Sequence, residues 1–274
     1  MSFIGSGISS RFLTKVRTSL INRKVAKLNR IPRSTIPVFS VIIPIYDRVE
    51  ELVEAVESIL AQSFKNFELI LICDGSPPAT LKVVESYSDH EQIRICQFNT
   101  SSGNACRGRN KGIEMARGKY LAFLDSDDIA IENRLQRSLF HFLDKGVDVV
   151  GGAIEYLVPD GEVRGFRNGQ IGFTSEACSY TQLQEGNRLS ICTVAVSLRV
   201  LRQYGGFREE MRYREDHELW LRLAYHGCKF YNSPETFALY RIHQNNAEVQ
   251  YLEDDSHWFE QALKLHSGPF SLTS

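Results

Sequence analysis

Residues 38–73 read VFSVIIPIYDRVEELVEAVESILAQSFKNFELILIC. The stretch opens on an apolar, β-branched run. It then places Val49, Leu52, Val53, Val56, Ile59 and Leu60 on one helical face, and it closes on a second apolar run, FELILIC. Runs that are apolar on both faces suit strands buried from both sides, and such strands are joined in parallel by a crossover helix. The pattern continues outward with a helix near ATLKVVESYS (79–88), a short strand QIRICQF (92–98), a helix over Arg109–Ala116 and a strand entering KYLAFLDSDDIA (119–130). This βαβα alternation predicts an α/β fold, an open, mainly parallel sheet with helices on both faces. Ligands of such sheets bind beyond the carboxyl ends of the strands.

After Val150 the pattern loosens. Gly151, Gly152, Gly161, Gly165, Gly169 and Gly172 punctuate a region of short strands and long loops, and order returns with ICTVAVSLRVLRQYGGF, REDHELWLRLAYHG and TFALYRIH. Three segments follow: a basic extension over 1–37, a globular domain over 38–243 divided near 150, and a tail over 244–274 with a short helix around Trp258–Leu265. Pro32 and Pro37 mark the first boundary.

The chain has 274 residues, enough for one large domain with an appendage, and its 43% hydrophobic and 24% charged residues fit a globular protein. No apolar run reaches the roughly 20 residues that span a bilayer, and no signal-peptide pattern opens the chain, so a cytoplasmic protein is expected. The six cysteines, Cys73, Cys96, Cys106, Cys178, Cys192 and Cys228, form no C-x-x-C pair and fit reduced thiols. The net charge of -1 hides an asymmetry, because residues 1–37 hold eight cations and no acid. That arm interleaves Ile8, Phe12, Val16 and Leu20 at helical spacing and loses the register around Ile21, Val25 and Leu28. It reads as a membrane-surface helix, a solvated extension or a targeting peptide. No nucleic-acid partner is expected.

Three strand ends deliver polar residues to one edge of the sheet: Tyr46 with Asp47, Asp74, and the cluster Asp125, Asp127, Asp128. Packed carboxylates require a compensating positive charge. Hard divalent cations such as Mg²⁺ or Mn²⁺ take oxygen ligands, commonly one or two carboxylates with the rest from water and phosphate. The bland alternative is a turn in which Asp128 or Ser126 caps a helix starting near Ile131. Asp216 shares a helical face with Leu219, Trp220 and Leu223, which sets an ionised carboxylate at a helix start where it can take a proton, whereas Glu215 and Glu218 point elsewhere. Arg107, Arg109 and Lys111 at another helix start suit a phosphate or simply a charged surface. His243 reads as a metal or phosphate ligand, or as a hydrogen-bonded structural histidine.

Taken together, FSVIIPIYDR, SILAQSFKNFELILICDGS, GRNKGIEMARGKYLAFLDSDD, GGFRE and REDHELWLRLAYHG resemble, in order and separation, the inverting GT-A-fold glycosyltransferases of family 2, over about Phe39–His243. The resemblance implies a Rossmann-like, nucleotide-sugar-binding half over 38–150 and a smaller, partly antiparallel acceptor half over 151–243. It implies that Pro44, Tyr46 and Asp74 hold the nucleotide base, that Arg109 lies near the diphosphate, that Asp125 with Ser126 meets the ribose, and that Asp127 ligates Mn²⁺ or Mg²⁺. Asp128 would orient the turn or join the metal shell, and Asp216 would be the general base. The donor implied is a UDP-sugar, and the acceptor a saccharide or a lipid-linked saccharide. Cys73 stands where many relatives carry a second acid, and no Q-x-x-R-W follows EDHELW, which argues for transfer of a single sugar. A sugar-nucleotide pyrophosphorylase would show a Gly-rich loop in place of PIYDRVE, and a catalytically silent scaffold would have no reason to keep Asp127 and Asp216.

Overall fold

A computed structural model describes residues 10–30, 36–158, 162–163, 165–243, 246, 251 and 254–265. Pro32, Arg33, Ile8 and the start of the tail at 244 lie outside the described residues. In chain order the elements are α1 (Ser10–Asn29), β1 (Phe39–Ile45), α2 (Glu50–Leu60), β2 (Phe67–Asp74), α3 (Pro78–Glu85), β3 (Ile93–Phe98), α4 (Cys106–Met115), β4 (Tyr120–Phe123), β5 (Ile129–Ala130) and α5 (Arg134–Lys145). There follow β6 (Val149–Leu157), β7 (Glu162–Val163), β8 (Phe166–Arg167), β9 (Ile171–Gly172), α6 (Tyr180–Glu185), β10 (Ala195–Ser197), α7 (Leu198–Tyr204), α8 (Glu215–Tyr225), β11 (Phe230–Arg241) and α9 (Asp255–Lys264).

One sheet runs through the domain in the order β3-β2-β1-β4-β10-β6-β11-β5, with β9 added beside β6. Strands β3, β2, β1 and β4 are mutually parallel, β10 runs antiparallel to β4 and β6, and β11 is parallel to β6. This is the Rossmann-like, mainly parallel sheet expected. All residues of β1 and β2 are buried, which is why neither shows polar alternation. The strand order reverses beside β1, so the ends of β1 and β4 border the crevice where such sheets bind ligands. Position 150 falls inside β6, and the two halves of the domain share that strand.

Several local expectations shift. In α2 the buried face is Leu52, Ala55, Val56 and Ile59, while Val49 and Val53 are exposed. Helix α4 begins at Cys106, three residues before the sequence pattern suggested. It lies against β1 because Gly112 carries no Cβ; one built there would meet the Ile42 side chain at 2.5 Å. The helix expected near Ile131 begins at Arg134, and Asn133 occupies its N-cap without a side-chain cap bond, so neither Asp128 nor Ser126 caps it.

The basic arm also reads differently. Ile21, Val25 and Leu28 do not mark a lost register; they are the face that docks α1 on the domain, with Ile21 and Val25 buried in the main core. Asn66 donates to the Leu28 carbonyl at 3.1 Å, and Asn29 donates to the Ser63 carbonyl at 3.2 Å.

Candidate active site

A cleft of about 1000 Å³ opens at the carboxyl ends of β1, β2 and β4 and extends under α8. Pro44, Tyr46, Asp74, Arg109, Asp125, Ser126, Asp127 and Asp216 all line it.

At the β2 end, Gly75 turns the chain with φ +71°, and a Cβ there would strike the Ser101 amide nitrogen at 2.2 Å. That close approach brings the 101–103 loop over Asp74. Asp74 accepts from the Ser102 amide at 2.8 Å and the Ser102 hydroxyl at 2.7 Å on one oxygen, and from Arg107 Nε at 2.7 Å on the other. The Arg107 guanidinium stacks over the Phe98 ring at 4.3 Å. Tyr46 is half exposed and lines the cleft.

At the centre lies Arg109, only 3% exposed. One terminal nitrogen donates to Asp125 at 2.7 Å and the other to Glu215 at 2.6 Å. Burial alone would weaken its charge, but the two carboxylates raise its pKa above the ordinary guanidinium value. Arg107, Arg109 and Lys111, expected to suit a phosphate or simply a charged surface, are each paired within the chain: Arg107 with Asp74, Arg109 with Asp125 and Glu215, and Lys111 with Glu114 at 2.9 Å. The expectation for Glu215 is corrected, because it faces the cleft. Glu218 does point away; fully buried, it accepts from Arg222 and Arg208 at 2.9 Å. Arg222 also donates to the Gly206 carbonyl at 2.6 Å, and Asn110 donates to the Phe207 carbonyl at 2.8 Å. Thus the GGFRE segment clamps α8 to α4, which explains why these motifs occur together.

The acidic turn finds part of its positive charge within the chain. Asp125 has Arg109. Asp128 is 1% exposed and absent from the cleft lining; it accepts the Arg241 amide at 2.9 Å, and burial pushes its carboxyl well above the usual range, with repulsion from Asp127 and Asp125 adding to the rise. Arg134, wholly buried beneath the turn, donates to the Phe123 carbonyl at 2.6 Å and is drawn electrostatically to Asp128 and Asp125, while burial lowers its pKa to about 10. Asp127 lines the cleft with Asp125, and its Oδ2 lies 3.9 Å from Arg48 Nε. Its carbonyl accepts from Arg241 Nε at 2.8 Å, and its Oδ2 lies 3.0 Å from His243 Nε2.

The chemistry of these donors fits a divalent cation. Asp127 offers one hard oxygen at the cleft, and His243, which does not itself line the cleft, brings an imidazole nitrogen within 3.0 Å of it, with remaining positions open to water and phosphate. Asp128, turned inward, serves the turn and does not contribute to that pair. Among the described residues there is no group of three or more His, Cys, Asp or Glu side chains able to hold a metal alone.

Asp216 occupies the second residue of α8. Its Oδ2 accepts from Asn187 Nδ2 at 3.0 Å and its Oδ1 from the His217 amide at 2.7 Å. Burial raises its pKa above the usual carboxylate value, opposed in turn by the Asn187 amide, the Arg109 charge and the His217 amide. Arg214, one residue before the helix, has a left-handed φ of 57° and holds Asp255 of α9 through two bonds of 2.6 and 2.7 Å. A non-glycine residue in that conformation costs of order 1 kcal/mol and is kept only where its surroundings fix it. Here the fixed backbone aims the start of α8 at the cleft. Asn187 had no periodic context in the sequence, and nothing there pointed to it.

Comparison with known proteins agrees with this geometry. Residues 40–204 match the family model described as glycosyl transferase family 2. The Escherichia coli enzyme WfaP, a UDP-Glc:alpha-D-GlcNAc-diphosphoundecaprenol beta-1,3-glucosyltransferase, is 28% identical over 212 residues, covering 77% of this chain and 79% of its own. S. aureus TarS 1-349 in complex with UDP-GlcNAc superposes with a TM-score of 0.66 at 20% identity, over 85% of this chain and 68% of that one. The mannosyltransferase PcManGT from Pyrobaculum calidifontis, in complex with GDP-Man and Mn²⁺, gives 0.61 at 13% identity, over 94% and 74%. With the family's sequence pattern spread over more than half its length and the GT-A sheet beneath it, this chain belongs to glycosyl transferase family 2 and is a glycosyltransferase.

Proposed function

We propose that the protein is a metal-dependent, inverting transferase that moves one sugar from a UDP-sugar to a hydroxyl of a saccharide or lipid-linked acceptor, in glycoconjugate synthesis on the cytoplasmic side. One observation carries this reading: a partly buried, doubly hydrogen-bonded Asp216 shares a cleft with the Asp125–Asp127 turn. The donor and acceptor classes draw on WfaP, named for UDP-Glc and a diphosphoundecaprenol-linked acceptor, and on TarS, solved with UDP-GlcNAc.

In this reading Pro44, Tyr46 and Asp74 take the base, with the ring on Tyr46 and a base N–H on Asp74, whose oxygens already hold the 101–103 loop in place. Asp125 and Ser126 meet the ribose. Asp127 and His243 would hold Mn²⁺ or Mg²⁺, which when bound offsets the charge gathering on the departing diphosphate. Asp216 takes the proton from the acceptor hydroxyl as its oxygen bonds to the anomeric carbon and the bond to the diphosphate breaks on the opposite face. Attack from that side inverts the centre. Arg109 holds the donor turn and the base helix at a fixed separation, which places the reacting groups.

Two measurements test the assignments. In calorimetry of UDP binding, Asp127→Ala loses the tightening that Mn²⁺ gives the wild type and keeps metal-free affinity; undiminished Mn²⁺ tightening would remove Asp127 from the metal site. Asn187 holds the base ionised, so Asn187→Leu raises the Asp216 pKa. Because the ionised carboxylate is the active form, the acid limb of kcat/KM moves to higher pH. A profile that falls uniformly, with its limb unmoved, would make Asn187 a packing residue only.

A further inference from the structure

Helix α1 has two opposite faces, and the docking of Ile21, Val25 and Leu28 accounts for one of them. At about 100° per residue, Val16, Leu20, Arg23 and Lys27 fall within a sector of roughly 60° on the far side. Val16 is 41% and Leu20 58% exposed. Lys15, Arg23, Lys24 and Lys27 are exposed around them, and among the described residues none of these four is in an ion pair; in the same helix Arg17 is bound to Asp144. The helix contains no acidic residue.

We propose that this outward face of α1 docks on an anionic lipid bilayer. Aliphatic side chains in the middle of a cationic field match an interfacial helix, whose apolar residues enter the headgroup boundary while the cations meet lipid phosphates. A polyanion without an apolar layer, such as nucleic acid, gives Leu20 and Val16 nothing to enter. The charge of the whole molecule sets the orientation. Residues 1–37 carry eight cations and no acid in a chain of net charge -1, so the remainder is acidic and is repelled by an anionic surface. No described helix is long and apolar enough to cross a membrane, so the contact is peripheral.

The face lies apart from the cleft, and none of its residues lines it. Attachment is therefore separable from transfer, and goes beyond the reading of the site. Deleting the arm would strip Ile21 and Val25 from the core, so the test uses point variants of the full chain. The wild type should float with phosphatidylcholine vesicles containing phosphatidylglycerol and not with phosphatidylcholine alone. Arg23→Glu combined with Lys27→Glu, and separately Val16→Asp with Leu20→Asp, should each lower partitioning by roughly tenfold or more. Melting temperature and UDP affinity of both variants should match the wild type. Equal flotation of the variants, or equal binding to neutral vesicles, overturns the proposal. So does a wild-type dimer, seen by light scattering, that fails to float and that Leu20→Asp dissociates, since the face would then belong to a second copy. Loss of the transferase assignment would leave the flotation result intact.

Discussion

Asp216→Asn should lower sugar transfer by about 10²–10⁴-fold, the usual share of a general base, while leaving UDP binding near the wild-type level. The substitution is close to isosteric: the His217 amide keeps an oxygen to donate to, and Asn187, which donates to Oδ2, turns its amide to accept from the nitrogen that replaces it. Stability should not suffer. Burial holds the Asp216 carboxyl above its usual pKa, so at neutral pH the folded state bears a cost for keeping it charged, and a neutral amide relieves that cost. Loss of activity together with an equal or higher melting temperature is the expected signature of a group retained for chemistry. Measured by initial rates of UDP release and by thermal unfolding, retained transfer in Asp216→Asn would end the base assignment.

The legibility of this chain followed the range of the forces involved. The strands β1 and β2 and the helix between them could be read because burial on both faces imposes a local pattern on consecutive residues. The region from Gly151 to Ser190 could not, because β7, β8 and β9 are two-residue strands, too short to impose an alternating pattern. In α1 the hydrophobic spacing was visible but its meaning was inverted. Two apolar stripes on one helix look like a broken register until one of them is seen against the core. In the cleft, residue types and strand ends identified Asp74, Asp125, Asp127 and Asp216 as a set. What the sequence concealed was how the charges are divided. Three carboxylates in the 125–128 turn called for a cation, and a bound metal was the obvious source. Instead, Arg109 supplies part of it from within by pairing with Asp125, and Asp127 lies between His243 and Arg48. Arg109 meets Asp125 across 16 residues of chain and Glu215 across 106, and no local pattern encodes either pairing.

That division of charge makes Arg109→Met the most damaging single change to the fold around the site. Methionine fills much of the volume and can still lie against Phe207, whose ring the guanidinium faces at 5.3 Å, so what is lost is chiefly the charge. Two partly buried carboxylates, Asp125 and Glu215, are then left without their partner; breaking a fully buried ion pair on one side costs about 3–5 kcal/mol, and the solvent both groups meet at the cleft brings the loss here below that range. The pH dependence separates this cause from poor packing. In the wild type, burial already raises the pKa of both carboxyls against the pull of Arg109, and removing Arg109 raises them further. Between the ordinary carboxylate range and these raised values the folded state binds more protons than the unfolded chain, so stability falls as pH rises through that window and returns as pH falls. Urea unfolding of Arg109→Met should therefore show a large loss at pH 7.5 that shrinks toward pH 5, and Glu215→Gln added to it should recover part of the loss at the higher pH. Arg109→Lys keeps the charge but has one ammonium for two carboxylates in different elements, so it should stand between wild type and Arg109→Met. A deficit equal at both pH values, unmoved by Glu215→Gln, would show that Arg109 acts through its contact with Phe207 and not as the cation that joins the 125–128 turn to α8.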